Sequence, residues 1–183
     1  EEGWKLTLGL LKPGGIAADR PRDTFLAIEK ANLEARIFIE EKRIDIGRAE
    51  LAGPNLALAA AGAFDWIDGA HIRLGMSAGR MPIRSLFRVW PSHMGAPARN
   101  WLISHVHGGT LQSASASIDF DKDALLQMRF ERPPPDATVS MEFKIAGGAL
   151  TALDGIPEIS GVEGSGRVTG RSALLTTTSG VME

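Results

Sequence analysis

Residues 56–76, LALAAAGAFDWIDGAHIRLGM, decide the fold class. Leu56, Leu58, Ala60, Gly62, Phe64 and Trp66 fall on every second position. The same period returns where Ile72, Leu74 and Met76 alternate with His71, Arg73 and Gly75. A period of two marks strands whose side chains point by turns to an apolar and a polar face. Working outward, Leu33, Ala35, Ile37 and Ile39 alternate with Glu34, Arg36 and Glu40, and Ala114, Ala116 and Ile118 alternate with Ser113, Ser115 and Ser117. Val139, Met141, Phe143 and Ile145 repeat the pattern. Strands that follow one another with few helices between them predict an antiparallel meander.

The exception is the run Pro82–Gln112, PIRSLFRVWPSHMGAPARNWLISHVHGGTLQ. Ile83, Leu86, Phe87 and Trp90 share one face at helical spacing, with Pro82 suited to the first turn and Pro91 as the stop. A second helix is predicted with Ala98, Trp101, Leu102, His105 and Val106 on one face, ended by Gly108-Gly109. Elsewhere, Asp121-Lys122-Asp123 reads as a hairpin tip, and Ala124, Leu126, Met128 and Phe130 as the start of a return strand. Pro133-Pro134-Pro135 reads as an extended break, and Arg22–Asn32 as one further short helix. The Gly-, Ser- and Thr-rich last forty residues predict an edge strand or a flexible end.

The expected fold is therefore mostly β with a small helical insert. It is an antiparallel, meandering sheet with two short helices packed on it. Its parts are a strand-rich 1–81, a two-helix insert 82–109 and a strand-rich 110–183. Starting at Glu1 and ending in strand-like sequence, the chain is expected to be a fragment of a larger protein.

Composition narrows the function classes. A net charge of −2 is not the basic excess of a dedicated nucleic-acid binder. Without cysteine there is no disulfide frame and no thiolate metal site. No apolar run reaches the length of about 18 residues that spans a bilayer.

Candidate catalytic motifs are weak. Gly75-Met76-Ser77-Ala78-Gly79 has the spacing of a nucleophile elbow, but the helix that should follow waits until Pro82, and the histidines precede Asp119 in the chain. His105 and His107 are two apart and leave a helix on different sides, so with His93 they make a poor metal set. Asp119, Asp121 and Asp123 have the opening spacing of a calcium loop, without its glycine and closing acid. Lys12-Pro13-Gly14-Gly15 and Gly164-Ser165-Gly166 fit neither a phosphate nor a dinucleotide loop. No enzyme activity, cofactor or metal is expected. Charge does cluster: residues 69–118 hold five arginines and every histidine but no Asp or Glu. Arg80, Arg84, Arg88 and Arg99 are candidates for a lipid headgroup or an acidic partner, against a plain solvated face.

Two stretches resemble a known family. Arg88-Val89-Trp90-Pro91, then Arg99-Asn100-Trp101-Leu102, then Gly108-Gly109-Thr110-Leu111 resemble a segment in the central domain of AsmA-like proteins of Gram-negative envelopes, in the YhdP-type branch related to TamB. Phe143-Lys144-Ile145 with Leu153-Asp154-Gly155-Ile156-Pro157-Glu158-Ile159 is similar to the strand and turn that follow there. The likeness is best from Met81 to Gly170, and Trp90, Pro91, Trp101, Gly108 and Gly109 carry its signature.

The resemblance implies a periplasmic β-structure, a curved antiparallel sheet whose inner apolar face forms an open groove, tethered to the inner membrane elsewhere in the parent chain. It also implies a role in phospholipid transport between inner and outer membranes and in envelope maintenance. The groove candidates for acyl chains are Leu56, Leu58, Phe64, Trp66, Ile72, Leu74, Met76, Val139, Met141, Phe143 and Ile145. Phospholipid and other envelope proteins are the expected partners, and nucleic acid is not. The alternative is a structural or protein-interaction module of the envelope with a dry core and no bound lipid.

Overall fold

Alternation along the chain becomes one sheet. The computed structural model describes residues 3–17, 25–90, 96–130, 132–151 and 156–182. Its strands are β1 (Trp4–Gly9), β2 (Gly14–Ile16), β3 (Leu26–Ile28), β4 (Lys30–Phe38), β5 (Arg43–Gly53), β6 (Leu56–Asp65), β7 (His71–Ala78), β8 (Met81–Pro82), β9 (Val106–Phe120), β10 (Val139–Leu150), β11 (Ile159–Thr169) and β12 (Ala173–Met182). The helices are α1 (Ile83–Val89), α2 (Ala96–His105) and α3 (Lys122–Arg129). The main sheet runs β1-β4-β5-β6-β7-β9-β10-β11-β12, every neighbour antiparallel, with β8 paired to β9. It does not close into a barrel. A separate hairpin joins β2 to β3.

Register lines up the apolar positions across strands. One row reads Leu8, Leu33, Ala49, Ala60, Met76, Ala116, Met141, Val168 and Ala173, one residue from each strand of the main sheet except the short β8. Nine strands about 4.8 Å apart make that row about 38 Å long. A second row reads Trp4, Ile37, Ile44, Phe64, Ile72 and Phe120. The other face is polar, as in the row Asn32, Glu50, Ala59, Ser77, Ser115, Glu142 and Arg167.

Buried residues gather at one end. Leu26, Leu56, Met81, Ile83, Phe87 and Leu111 form the core cluster, with Ile16, Ile28, Leu102, Ile103 and Val106 packed around it. Helices α1 and α2 and the β2–β3 hairpin thus cap that end of the apolar face, over Leu58, Ala78, Ala114, Phe143 and Ile145.

Several local expectations are corrected. Residues 122–129 form α3 instead of a return strand. The Asp121 carboxylate accepts from the Ala124 backbone N–H at 2.8 Å, Asp123 sits in the first turn and Arg129 in the last. Such caps and charges favour a helix over strand pairing. Burial follows the helix too: Ala124 is buried, while Leu126 and Phe130 are exposed. The helix expected from Arg22 is absent among the described residues, which instead form β3 and the start of β4. Gly108-Gly109 does not terminate a helix with a loop, because α2 ends at His105 and β9 starts at Val106. Gly109 has φ +117, and a Cβ there would lie 2.8 Å from Gly148 Cα, so the pair marks an irregular crossing of β9 and β10. The last forty residues hold paired strands, β12 being the edge.

Candidate functional site: the apolar face of the open sheet

Exposure tracks the two faces. In β9, Ser113, Ser115 and Ser117 are exposed while Ala114, Ala116 and Ile118 are half-buried, and β7 repeats this with Arg73, Gly75 and Ser77 against Leu74, Met76 and Ala78. Serine and alanine are close in size, so the difference lies in the surroundings: the apolar face is screened. It is not sealed. Leu74, Met76, Ile118, Val139 and Met141 belong to central strands, where a second packed layer would bury them, yet each stays half-buried.

The groove candidates separate into three groups. Leu56 is buried within the cap core, and Leu58, Phe143 and Ile145 lie under the cap. Phe64, Ile72, Leu74, Met76, Val139 and Met141 occupy the uncapped part of the face. Trp66 lies beyond the end of β6, 37% exposed, with its ring stacked on Phe64 at 5.3 Å between centroids.

The arginines of the insert act mainly as internal ties. Arg88 donates to the Ile16 and Ala17 carbonyls at 2.7 and 2.6 Å, holding the β2–β3 hairpin to α1. Arg99 donates from Nε to the Trp90 carbonyl at 3.0 Å and from its terminal nitrogen to the Phe87 carbonyl at 3.1 Å, joining α2 to the end of α1. Arg84 donates to the His107 carbonyl at 3.1 Å. Free carbonyls at a helix end attract a guanidinium for reasons unrelated to any ligand. Arg80 is exposed after β7. Of the signature residues, Trp90, Gly108 and Gly109 thus belong to the cap and its junction with β10, while Pro91 lies outside the described residues. On the predicted apolar face of α2, Leu102 packs against the core together with its neighbour Ile103, whereas Trp101 is 47% exposed and stacks on His105.

The catalytic and metal candidates disperse. Ser77 is exposed on the polar face six residues along the same strand from His71, about 20 Å away at strand rise. His71 Nε2 lies 2.5 Å from Asp119 Oδ1, while Asp121 caps α3, so the aspartates of the apparent calcium loop have separate structural tasks. His105 Nδ1 donates to the Trp101 carbonyl at 2.8 Å and His107 Nε2 shares a 2.9 Å hydrogen bond with Thr151 Oγ1. His93 and residues 153–155 lie outside the described residues. No group of three metal-ligating side chains occurs among the described residues.

The polar face carries the ionic detail. Lys30 and Arg48 both hold Glu50, whose pKa lies below the usual carboxylate range, first through the Lys30 hydrogen bond and then through Arg48. Its open depressions, of about 490 and 440 Å3, are lined largely by polar-face residues such as Ser115, Glu142, Lys144 and Arg167, or Arg73, Ser117 and Asp119. No helix among the described residues is long and apolar enough to cross a membrane. Comparisons with known protein families, curated proteins and solved structures find no match to this chain.

Sequence reasoning missed α3 and the arginine ties. Asp121 followed by Asp123, Ala124, Leu125 and Met128 was the available sign of a capped helix. Nothing in a single sequence reveals which carbonyl a guanidinium will meet.

Proposed function

We propose that this chain is a non-catalytic segment of an AsmA-like, YhdP-type periplasmic envelope protein, and that its open apolar face shelters acyl chains of phospholipid moving between the two membranes. One observation carries the reading: an apolar row about 38 Å long crosses nine strands of the main sheet, and its central residues are left unsealed. An apolar row of that length left only partly buried is uncommon on a soluble chain and calls for an occupant. Hydrocarbon fits a face of Ala, Leu, Met, Val and Ile with no charge in the row. A polar solute does not.

The rival is a structural or interaction module without lipid, which would engage partners through the basic insert. The carbonyl bonds of Arg84, Arg88 and Arg99 favour the apolar-face reading over it. Purification without detergent, followed by lipid extraction and mass spectrometry, tests the proposal. Phospholipid should be retained in a defined ratio and fall at least about fivefold in Met76→Glu and Met141→Glu, but not in Ser77→Glu on the opposite face. A stable, lipid-free protein would overturn it.

A further inference from the structure

The end of the sheet opposite the cap ends in exposed apolar side chains. Ile39 in the β4–β5 turn is 67% exposed, Trp66 and Ile67 in the β6–β7 turn are 37% and 59% exposed, and Phe130 after α3 is 66% exposed. Register places them at one end. Arg43 pairs with Asp65, Ile72 pairs with Phe120, and α3 starts two residues after Phe120. The Trp66 backbone N–H donates to the Lys42 carbonyl at 3.0 Å, tying the two turns together. Gly69 lies against the Lys122 side chain, joining the second turn to α3.

We infer that this rim docks on the surface of a lipid bilayer, inserting Ile39, Trp66 and Ile67 among the headgroups. The inference rests on the reading of the apolar face as a shelter for acyl chains, and supplies its loading edge. Three observations favour a bilayer over a protein groove. The apolar residues sit on separate turns and a helix end, a set of tips that enters a soft interface without needing a matching shape. One of them is tryptophan, whose amphipathic ring favours the headgroup level. The rim is also continuous with the sheet, since Trp66 stacks on Phe64, a member of the apolar row ending at Phe120.

Charge selects the lipid. The two turns carry Glu40, Glu41 and Asp68 against Lys42, and in α3 Asp121 and Asp123 offset Lys122 and Arg129, so anionic headgroups gain nothing there. The bilayer recognised is zwitterionic, and binding through insertion survives raised salt.

Flotation with phosphatidylcholine vesicles, with or without one-third phosphatidylglycerol, tests this. The wild-type protein should float with phosphatidylcholine, less with the anionic mixture, and equally at high salt. Ile67→Asp and Ile39→Asp should each reduce flotation at least tenfold; both residues are exposed turn positions, and circular dichroism checks that the fold is kept. Leu11→Asp, at a residue 99% exposed at the capped end, controls for exposure alone and should change nothing. Absence of wild-type flotation overturns the inference, as does equal loss in Leu11→Asp or binding that requires phosphatidylglycerol. A protein that retains phospholipid on purification yet never floats refutes the rim and leaves the sheltering face standing. One that floats through Ile67 but carries no lipid upholds the rim alone.

Discussion

At the scale of single residues, the sheet is most sensitive where backbones approach. A Cβ on Gly62 would stand 2.0 Å from the Arg73 carbonyl oxygen of the neighbouring strand, and main chain cannot step aside as a side-chain tip can. Gly62→Ala should therefore cost about 1–3 kcal/mol, read as a lower melting temperature. Gly75→Ala is the matched control: its Cβ would meet nothing closer than the Ala61 carbonyl oxygen at 3.9 Å, and stability should hold. Asp136 gives a prediction in pH. Its carboxylate accepts from the Thr169 hydroxyl and from the Arg171 backbone N–H, and its pKa lies below the usual range, chiefly through Thr169. A folded-state pKa below the unfolded one gives stability that is complete above the unfolded value and lost as pH falls through the folded one. Asp136→Ala should accordingly melt below wild type at pH 7, with the gap closing below about pH 4. A gap that does not change with pH would refute this role.

At the scale of elements, legibility followed the strength of periodicity. Strands β4, β7, β9 and β10 were readable because one face is apolar and the other mostly Ser, Arg, Glu or Lys, and β6 because its larger apolar side chains alternate with alanine; a slip of one residue would exchange the faces. Helix α1 was readable from Ile83, Leu86 and Phe87. Segment 122–129 was not, because Ala124, Leu126, Met128 and Phe130 alternate by chance while the Asp121 cap decides the conformation. Asp121→Ala should cost about 1 kcal/mol, within the 0.5–2 kcal/mol usual for an N-cap, and expose amides of residues 122–129 to faster hydrogen exchange. Unchanged exchange would mean that packing on β9, and not the cap, holds α3. In α2 the helix was legible but its buried face was not. Trp101 shares the predicted apolar face with Leu102, yet Leu102 and the neighbouring Ile103 meet the core while Trp101 stays half exposed, and Arg99 ties the helix to the end of α1.

At the scale of the whole molecule, an open sheet with one uninterrupted apolar face departs from the usual two packed layers. The cap supplies a fixed core at one end, and the uncapped rows are where the proposed ligand lies. The apolar positions could be read from sequence, but whether a second layer covers them could not, because alternation is the same for a sandwich and for a single sheet. The most direct test is photo-crosslinking in cells from a benzophenone residue placed in turn at adjacent positions that face opposite ways. Positions 76, 116 and 141 should capture phospholipid, and positions 77, 115 and 142 should not. Capture from both sets alike, or from neither, would contradict the assignment of this face to acyl chains.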